Sequence, residues 1–471
     1  MNNYLIIYYF LRNVKIALTF RKKLIYYKLE QTVIWKVVLN MTSTMAKPLS
    51  INEQSYIRIQ GGQPLCGTTY IDKSKNAILQ LMAASILLKG DILTLNKIPE
   101  ITDVFVMKNI LSELGLKCTY INETLKMGGT IHNNAISQDL ASEIRASIVL
   151  LGSLLTTCGE AKLPLPGGDK IGNRPVDIHL ECLSELGIDF SITNGVIHAK
   201  AKTFPLQGTT IFMRFPSVLA TGNLMMAATL ANGVTRILNA ACEPEIVDLA
   251  VLLNSMGAKI KGAGTNEIII SGVESLHGIE YEPIPDRIEA GTLLVSMAIS
   301  RGHGCIEQCI PEHNFALLSL LKNCGIHFQA SPDGYIEIFE SKLTKPLNAI
   351  AMTYPGLPTD LQPITTCIAT QCPGISTVTD TIYPERFSHV TELQKLGANI
   401  MQSGNKSIIY GGSPLNGGYI EGNDIRCVTS LICAGLIAQG ETKVKGLKHL
   451  QRGHANLIEK LQSLNASIEL I

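Results

Sequence analysis

Six copies of one pattern, spaced by about 70 residues, limit the possible folds of this chain more than any other feature. Each copy is the end of an amphipathic helix, then Gly or Asn, then alternating apolar residues, as in LSELGLKCTY from Leu111. Gly or Asn suits the left-handed residue that ends a helix, and the alternation is typical of a strand. The Gly and Asn positions are Gly115, Gly187, Gly257, Gly325, Gly397 and Asn465. The pattern predicts a repeated helix-to-strand unit.

A second phrase recurs six times, out of phase with the first, as in LMAASILLKGDILTL and LICAGLIAQGETKVK. Its small apolar residues allow close packing on all sides, which predicts buried helices, each followed by a short strand. Six units of about 70 residues account for residues 46–471. Alternating strands and helices indicate the α/β class, and we expect two domains of three units with a ligand site between them.

Residues 1–45 differ from the rest in their content of Ile, Tyr, Lys and Asn. Their apolar runs are too short for a membrane span, and they lack the order of a signal peptide. We interpret them as an extension that is disordered or follows from a misplaced start codon, with Met41 or Met45 as the real start. An interfacial membrane anchor is the alternative.

Charge and cysteine content exclude several classes of partner. Lys and Arg number 40 against 39 Asp and Glu, which argues against a nucleic-acid or membrane partner. Any anionic ligand must therefore be held by a local group of cations. The 12 cysteines form neither a C-x-x-C pair nor a zinc pattern. We interpret them as free thiols of a cytoplasmic protein without a metal site.

Cations recur at equivalent points of the repeats, in front of the small-residue helices or in nearby loops. They are Lys75, Arg145, Arg174, Arg426 and Arg452. Each alone fits a solvated surface residue. If the repeats are related by symmetry, these cations meet between the domains, which favours a phosphate-rich ligand.

Several acids accompany these cations. The glycine-rich loop PLPGGDKIGNRPVD, residues 164–177, carries Asp169 at its tip, and PGLPTD places Asp360 at a helix start. A helix cap is the alternative for Asp360. Caps and structural ion pairs are expected for the remaining acids, which are Glu243, Glu245, Asp248, Asp286 and Glu289.

Seven motifs occur in a fixed order: SKNA, IRAS, LPGG-x-x-IG-x-RPVD-x-H, AA-x-EPEIVD, PDRIE-x-GT, P-x-x-PTD-x-Q and ERF-x-H. Over residues 56–471 the chain closely resembles the UDP-N-acetylglucosamine 1-carboxyvinyltransferases of the enolpyruvyl transferase family. The resemblance implies two inside-out α/β domains, each of three βαβαββ repeats. The implied domains are residues 75–284, and residues 46–74 joined with residues 285–471.

The implied reaction is an addition followed by an elimination, without a metal or an organic cofactor. The 3-hydroxyl of UDP-N-acetylglucosamine attacks C2 of phosphoenolpyruvate while C3 receives a proton, and the intermediate then loses phosphate. In the family this is the first committed step of peptidoglycan synthesis, on which cell shape and division depend. The chemistry needs a base for the hydroxyl, an acid for C3 and cations around the phosphate and carboxylate.

The resemblance also implies roles for individual residues. Asp360 matches the base near the sugar hydroxyl, and Asp169 matches the group that protonates C3. Lys75, Arg174 and Arg452 match the cations around phosphoenolpyruvate. Positions that hold the UDP-sugar are matched by Asn76, Arg145, Arg174, Pro175, Val176, Asp177, Ile178, Ser217, Val218 and Ile382. Arg426 matches a further interdomain cation.

Most members of the family carry Cys at the position of Asp169, and a minority carry Asp. The loop around it matches a lid that closes when the UDP-sugar binds. We expect bound phosphoenolpyruvate and exclusion of water to raise the pKa of Asp169, against the lowering effect of Lys170 and Arg174. The epoxide fosfomycin alkylates the Cys of other members, so Asp169 implies fosfomycin resistance.

The chain departs from the family at two positions. Phe215 stands where Lys is common near the nucleotide, although the adjacent Arg214 can supply a charge, and Gln451 stands where Asp is common. The sister enzyme that uses shikimate 3-phosphate is one alternative, but ASEIRAS replaces its GNAGT signature. A non-catalytic nucleotide-sugar binder is another, and a P-loop does not fit the glycine spacing. The sequence leaves the oligomeric state open.

Overall fold

The six predicted repeats form six small sheets in the computed structural model, which describes residues 55–169 and 171–471. The predicted extension, residues 1–45, lies outside the described residues, as does Lys170. Ser55–Ile471 forms one compact unit.

Short strands, most of four or five residues, make up the sheets. In chain order they are β1 (Ile57–Gln60), β2 (Cys66–Tyr70), β3 (Ile92–Leu95), β4 (Lys117–Ile121), β5 (Thr124–Gly128), β6 (Glu160–Pro164), β7 (Ile188–Thr193), β8 (Val196–Ala201), β9 (Thr210–Phe212), β10 (Val234–Leu238), β11 (Lys259–Lys261), β12 (Glu267–Ser271), β13 (Glu280–Tyr281), β14 (His303–Glu307), β15 (Phe328–Ser331), β16 (Tyr335–Ile338), β17 (Asn348–Ala351), β18 (Gly374–Asp380), β19 (Asn399–Ser403), β20 (Lys406–Gly411), β21 (Tyr419–Glu421), β22 (Glu441–Lys445) and β23 (Ser467–Leu470).

Five of the sheets have four strands with one shared topology. In each, an edge strand pairs in parallel with its neighbour and the other pairs are antiparallel, as in the order β9-β10-β12-β11. The sixth sheet has three strands, and an isolated parallel bridge between Ala135 and Lys162 takes the place of its edge strand. This repeated arrangement confirms the predicted α/β class and the βαβαββ repeat.

Two kinds of helix alternate between the strands. The α-helices are α1 (Lys75–Ala84), α2 (Thr102–Glu113), α3 (Gln138–Glu143), α4 (Leu150–Cys158), α5 (Asp177–Glu185), α6 (Val218–Thr229), α7 (Pro244–Ser255), α8 (Arg287–Ile299), α9 (Phe315–Asn323), α10 (Gln362–Ala369), α11 (Ser388–Lys395), α12 (Ile425–Ile437), α13 (Leu447–Leu450) and α14 (Leu457–Ser463). Short 3₁₀ turns cover Ser85–Leu88, Arg145–Val149, Pro311–Asn314 and Thr359–Leu361.

The small-residue helices are α1, α4, α6, α8, α10 and α12, and they are buried as predicted. All residues of α8 are buried. Their small residues allow very close contacts: a Cβ on Gly222 of α6 would lie 2.0 Å from the side-chain oxygen of Gln80 on α1. The apolar, all-round composition of these helices is therefore explained by their central position.

The other main helices are α2, α5, α7, α9, α11 and α14, and each ends as the first pattern predicts. The residues that follow them, Gly115, Gly187, Gly257, Gly325, Gly397 and Asn465, all have positive φ angles between 70° and 114°. Glycine tolerates this conformation without steric cost, and Asn is the next most tolerant residue, which explains the recurring residue types.

The strands divide into two sets of three sheets. One set uses residues 92–281, and the other combines β1 and β2 with residues 303–470. The chain passes between the sets at residues 71–74 and 282–286, where Lys73 and Pro285 form an isolated bridge. A buried ion-pair group lies beside this crossing, with Lys460 Nζ 2.8 Å from both Asp72 and Glu289.

Candidate active site

The starts of the central helices from both sets of sheets meet at one pocket of about 570 Å³. Lys75 and Arg287 are the first residues of α1 and α8, and Ser217 is the N-cap of α6. Backbone N–H groups at helix starts have no partner within the helix and carry partial positive charge. A pocket lined by several of them therefore favours an anionic ligand.

Nearly all predicted site residues line this pocket. They are Lys75, Asn76, Arg145, Asp169, Arg174, Pro175, Asp177, Ile178, Ser217, Val218, Asp360, Ile382, Arg426 and Arg452. Val176 differs, because its side chain is only 8% exposed and packs in the hydrophobic core. The structure thus brings the five repeated cations together at one pocket, as the sequence predicts.

The loop between β6 and α5 presents Asp169 to the pocket. Gly167 packs so closely on α3 that a Cβ there would lie 1.7 Å from the carbonyl oxygen of Ser142. Gly168 has a φ of 99°, which a larger residue adopts only with strain. The loop therefore needs its paired glycines to turn Asp169 away from α3 and towards Arg452.

Arg452 lies between two carboxylates. Its Nε donates to Oδ1 of Asp103 at 2.9 Å and its Nη2 to Oδ2 of Asp103 at 3.3 Å, while its Nη1 donates to Oδ1 of Asp169. Lys75 Nζ lies 3.5 Å from Oδ2 of Asp103, and Nδ1 of His449 lies 3.4 Å from Oδ1 of Asp169. Two carboxylates thus balance the charges of Lys75 and Arg452.

These neighbours set the protonation state of Asp169. Burial raises its pKa, but the hydrogen bond from His449 and the charges of Arg452 and Lys75 outweigh burial and lower the pKa to about 2. Arg174, which we expected to lower it, is not among these causes. In this state Asp169 is a carboxylate, so it can act as an acid only after a ligand draws Arg452 away.

Asp360 lies in the 3₁₀ turn that precedes α10, between two arginines. Arg386 Nη1 donates to its Oδ1 at 2.7 Å, and Arg426 Nη2 donates to its Oδ2 at 3.0 Å. Burial raises the pKa of Asp360, but the charges of Arg426 and Arg386 lower it well below the usual value. The N-cap residues of this turn and of α10 are Pro358 and Leu361, so the alternative role of Asp360 as a helix cap is wrong.

Arg145 and Arg174 lie close together at another part of the pocket. Arg145 Nη2 donates to the carbonyl oxygen of Pro175 at 3.0 Å, and the Arg174 guanidinium lies 5.4 Å from the centre of the Tyr383 ring. Burial and the charge of Arg174 lower the pKa of Arg145 to about 10. An anion placed between these two cations would relieve their repulsion.

Arg214 is engaged elsewhere in this structure. It forms ion pairs with Asp177 and with Glu181, the latter at 2.8 Å. These contacts tie the segment before α6 to the first turns of α5. Phe215, next to Arg214, lines the pocket with 36% of its surface exposed. The expectation that Arg214 replaces a missing charge therefore requires its release from two carboxylates.

Two further features concern metals and membranes. Within residues 55–169 and 171–471, no group of three or more His, Cys, Asp or Glu side chains is placed to hold a metal ion. Over the same residues, none of the helices combines the length and the apolar character that crossing a membrane requires.

The chain matches a known protein family over most of its length. The family model described as EPSP synthase (3-phosphoshikimate 1-carboxyvinyltransferase) matches residues 59–461. The chain belongs to the EPSP synthase family. The predicted family relationship is thereby confirmed.

Two relatives of this EPSP synthase family chain align with it over most of its length. UDP-N-acetylglucosamine 1-carboxyvinyltransferase 1 of Caldanaerobacter subterraneus subsp. tengcongensis is 41% identical over 410 residues, which are 87% of this chain and 98% of the relative. UDP-N-acetylglucosamine 1-carboxyvinyltransferase 2 of Staphylococcus saprophyticus is 41% identical over 416 residues, 88% of this chain and 98% of the relative. The predicted enzyme class, a carboxyvinyltransferase, is confirmed.

Solved structures of this family share the fold. The enolpyruvyl transferase NikO from Streptomyces tendae has a TM-score of 0.78 at 23% identity, over 88% of this chain and 98% of that one. EPSP synthase from Acinetobacter baumannii has a TM-score of 0.69 at 17% identity, over 89% of this chain and 100% of that one. These similarities confirm the predicted enolpyruvyl transferase fold.

Sequence reasoning missed three side chains that shape the site. Asp103 follows Thr102 in the first turn of α2, where an acid is an ordinary helix-start residue. His449 belongs to a short helix near the end of the chain, and no motif includes it. Arg386 is part of the motif ERF-x-H, which was the one available signal, but its pairing with Asp360 depends on the fold.

Proposed function

We propose that this chain transfers the enolpyruvyl group of phosphoenolpyruvate to the 3-hydroxyl of UDP-N-acetylglucosamine, releasing phosphate. The observation that carries the proposal is a pocket in which two carboxylates are paired with arginines, Asp169 with Arg452, and Asp360 with Arg386 and Arg426. The names of two relatives that are 41% identical over almost their whole length support the choice of substrates.

Phosphoenolpyruvate is proposed to bind at Lys75 and Arg452. Its phosphate and carboxylate oxygens compete with Asp169 for Nη1 of Arg452, because planar guanidinium groups bind both kinds of anion well. The departing Asp169 then faces bound negative charge instead of Arg452. Its pKa rises, and it can take up the proton that C3 of the substrate requires.

The addition step needs a proton acceptor as well as a donor. The hydroxyl oxygen forms a bond to C2, its proton passes to Asp360, and C3 receives a proton from Asp169. Asp360 is a weak base because Arg386 and Arg426 stabilise its ionised form. The hydroxyl proton is therefore expected to move only as the C–O bond forms, when the hydroxyl becomes acidic. In the elimination, the C2–O bond to phosphate breaks, and C3 returns a proton to the Asp169 carboxylate as the C2=C3 double bond forms again.

The nucleotide-sugar is proposed to occupy the part of the pocket around Arg145 and Arg174, with Ser217 at the start of α6. Adjacent cations and a helix N-terminus favour a diphosphate. The two sets of three sheets are proposed to act as two domains, residues 75–284, and residues 46–74 with 285–471. Movement of one set against the other would open and close the pocket.

The proposal extends to the cellular role. The reaction is the first committed step of peptidoglycan synthesis, in the cytoplasm, and would support cell shape and division. All twelve cysteines are free thiols, as expected for a reducing compartment. Because Asp169 occupies the position of the fosfomycin-reactive thiol in the family, we expect the protein to resist fosfomycin.

Phosphate release is the direct test. The protein is incubated with phosphoenolpyruvate and either UDP-N-acetylglucosamine or shikimate 3-phosphate, in buffer with a chelator. Phosphate release that occurs with UDP-N-acetylglucosamine as the acceptor, and not with shikimate 3-phosphate, supports the proposal. Release with shikimate 3-phosphate, a strict need for divalent metal, or binding of both substrates without turnover would contradict it; the last result would favour a non-catalytic nucleotide-sugar binder.

A further inference from the structure

Asp103 holds both cations at which phosphoenolpyruvate is proposed to bind. Its side chain is only 4% exposed. One carboxylate accepts two hydrogen bonds from Arg452, at 2.9 and 3.3 Å, and lies 3.5 Å from Lys75 Nζ. A buried carboxylate with this pair of partners fixes the positions of both cations relative to each other.

The contacts of Arg452 divide its guanidinium group into two sides. Nε and Nη2 bind Asp103, and Nη1 binds Asp169. The side that faces Asp103 involves two hydrogen bonds to one carboxylate, while the other side has one. A ligand anion therefore competes more easily for the Nη1 side, and Arg452 can exchange Asp169 for the ligand without leaving its place.

We infer that Asp103 is the positioning residue that anchors Arg452 and Lys75, so that an anionic substrate displaces Asp169 rather than moving the cations. The inference rests on the proposed function, because it concerns the phosphoenolpyruvate end of the same pocket. Asp103 contacts no reacting atom in this scheme. It acts through Arg452 and Lys75, and through them on the proton of Asp169.

Charge balance gives the sign of the effect. The described groups that face Asp169 are Arg452, Lys75 and His449, and those that face Asp103 are Lys75 and Arg452. Removal of the Asp103 charge leaves Asp169 as the one carboxylate balancing two cations. Asp169 then holds its ionised form more strongly, takes up a proton less readily, and yields Arg452 less readily to the substrate.

The backbone beside Asp103 offers a reason to expect a folded variant. Thr102 N donates to the carbonyl oxygen of Gln451 at 3.0 Å, which ties the start of α2 to the segment that carries Arg452. This hydrogen bond does not involve the Asp103 side chain. Asp103→Asn keeps the size of the side chain and one acceptor, so it removes mainly the charge.

The test compares Asp103→Asn with the wild-type protein in steady-state phosphate release. We expect the KM for phosphoenolpyruvate to rise about 10- to 100-fold, the range for losing a charged hydrogen bond. The KM for UDP-N-acetylglucosamine should change much less. We expect kcat to fall at alkaline pH as Asp169 loses its proton. In the variant this alkaline limb should move to lower pH by about one unit, because a nearby negative charge that favours protonated Asp169 is gone.

Two further variants guard the interpretation. Glu459→Gln removes an exposed first-turn acid from α14, the helix after Arg452, and should leave both parameters unchanged. Asp103→Glu restores the charge with a longer side chain, and should return the alkaline limb towards the wild-type position. Circular dichroism and thermal melting show whether Asp103→Asn folds. If it does not, Asp103→Glu serves as the test, because its retained charge predicts an alkaline limb at the wild-type pH together with a raised KM for phosphoenolpyruvate.

The outcomes separate the two proposals. A wild-type protein without phosphate release would contradict the proposed function itself. An active wild-type protein, with a folded Asp103→Asn variant whose phosphoenolpyruvate KM and pH profile match it, would overturn the inference and leave the proposed function standing. A raised KM with an unmoved pH profile, or a glutamate variant whose limb shifts as far as that of the asparagine variant, would also overturn the link to Asp169.

Discussion

Asp360 allows a prediction in which catalysis and stability separate. The carboxylate bridges Arg386 and Arg426, whose side chains are 4% and 3% exposed. Asp360→Ala leaves both buried cations without this partner. Breaking a buried ion pair costs roughly 3–5 kcal/mol of unfolding free energy. The expected loss lies at the lower end, because Arg386 keeps Asp424 at 3.9 Å and Arg426 keeps a contact with His454.

Asp360→Asn isolates the chemical role. An amide oxygen still accepts a hydrogen bond from one arginine, so we expect a smaller loss of stability than for alanine. An amide cannot accept the hydroxyl proton, so kcat should fall in both variants by a factor on the order of 10² to 10⁴, the range for losing a general base.

Phosphate release at saturating substrates and urea unfolding of the same preparations provide the measurements. If Asp360 only neutralises the arginines, Asp360→Asn should lose stability while keeping kcat near the wild-type value, and that result would refute the assignment as base. Because the two arginines hold the pKa of Asp360 well below its usual value, the carboxylate stays ionised at neutral and mildly acidic pH. An acid limb between about pH 5 and 7 that disappears in Asp360→Asn would contradict this electrostatic argument.

Three further predictions concern the other groups of the pocket. Asp169→Asn should be nearly inactive, since it has no proton to give. Asp169→Cys should stay active and should move the alkaline limb of the kcat profile to higher pH, because a thiol has a reference pKa near 8.5. The Cys variant should also gain time-dependent inactivation by fosfomycin, and rapid covalent inactivation of the unmodified protein would contradict the argument. Binding of phosphoenolpyruvate near pH 7 should take up about one proton, because the pKa of Asp169 rises from about 2 when Asp169 leaves Arg452. Calorimetry in two buffers of different ionisation enthalpy measures this uptake, and equal heats in both buffers would argue against it. Phe215→Lys should lower the KM for UDP-N-acetylglucosamine, because Arg214 is already paired with Asp177 and Glu181, and an unchanged KM would show that this position lies away from the diphosphate.

Much of the fold was predictable from the sequence because the repeats impose strong local rules. Gly115 and Asn465, at the two ends of the series, both adopt the left-handed conformation predicted from a pattern of ten residues. The small-residue helices are buried because their sequences offer no polar face to water. Strand membership at the crossing was not predictable in this way, since the two-residue strand β13 has too few residues for a periodic signal.

The site was predictable only in part. Lys75 and Arg426 line the pocket because the repeat places them at the starts of helices, a position that the sequence defines. The partners of these cations come from distant parts of the chain: Asp103 and Arg452 are separated by 349 residues. Their pairing follows from how the sheets assemble, which no spacing in the sequence encodes. Val176 was assigned from a motif, but it is the N-cap residue of α5 and its side chain packs in the hydrophobic core.

The two ends of the pocket differ in how their cations are balanced by carboxylates. At the proposed phosphoenolpyruvate end, Lys75 and Arg452 are already balanced by carboxylates, so an incoming anion must displace one of them. Around Arg145 and Arg174 the described residues place no carboxylate within ion-pair distance, and burial together with the charge of Arg174 lowers the pKa of Arg145. An anion that binds there gains attraction without displacing an internal partner. We therefore expect the proposed nucleotide-sugar end to bind its ligand first, while the balanced end keeps Asp169 ionised until phosphoenolpyruvate competes for Arg452.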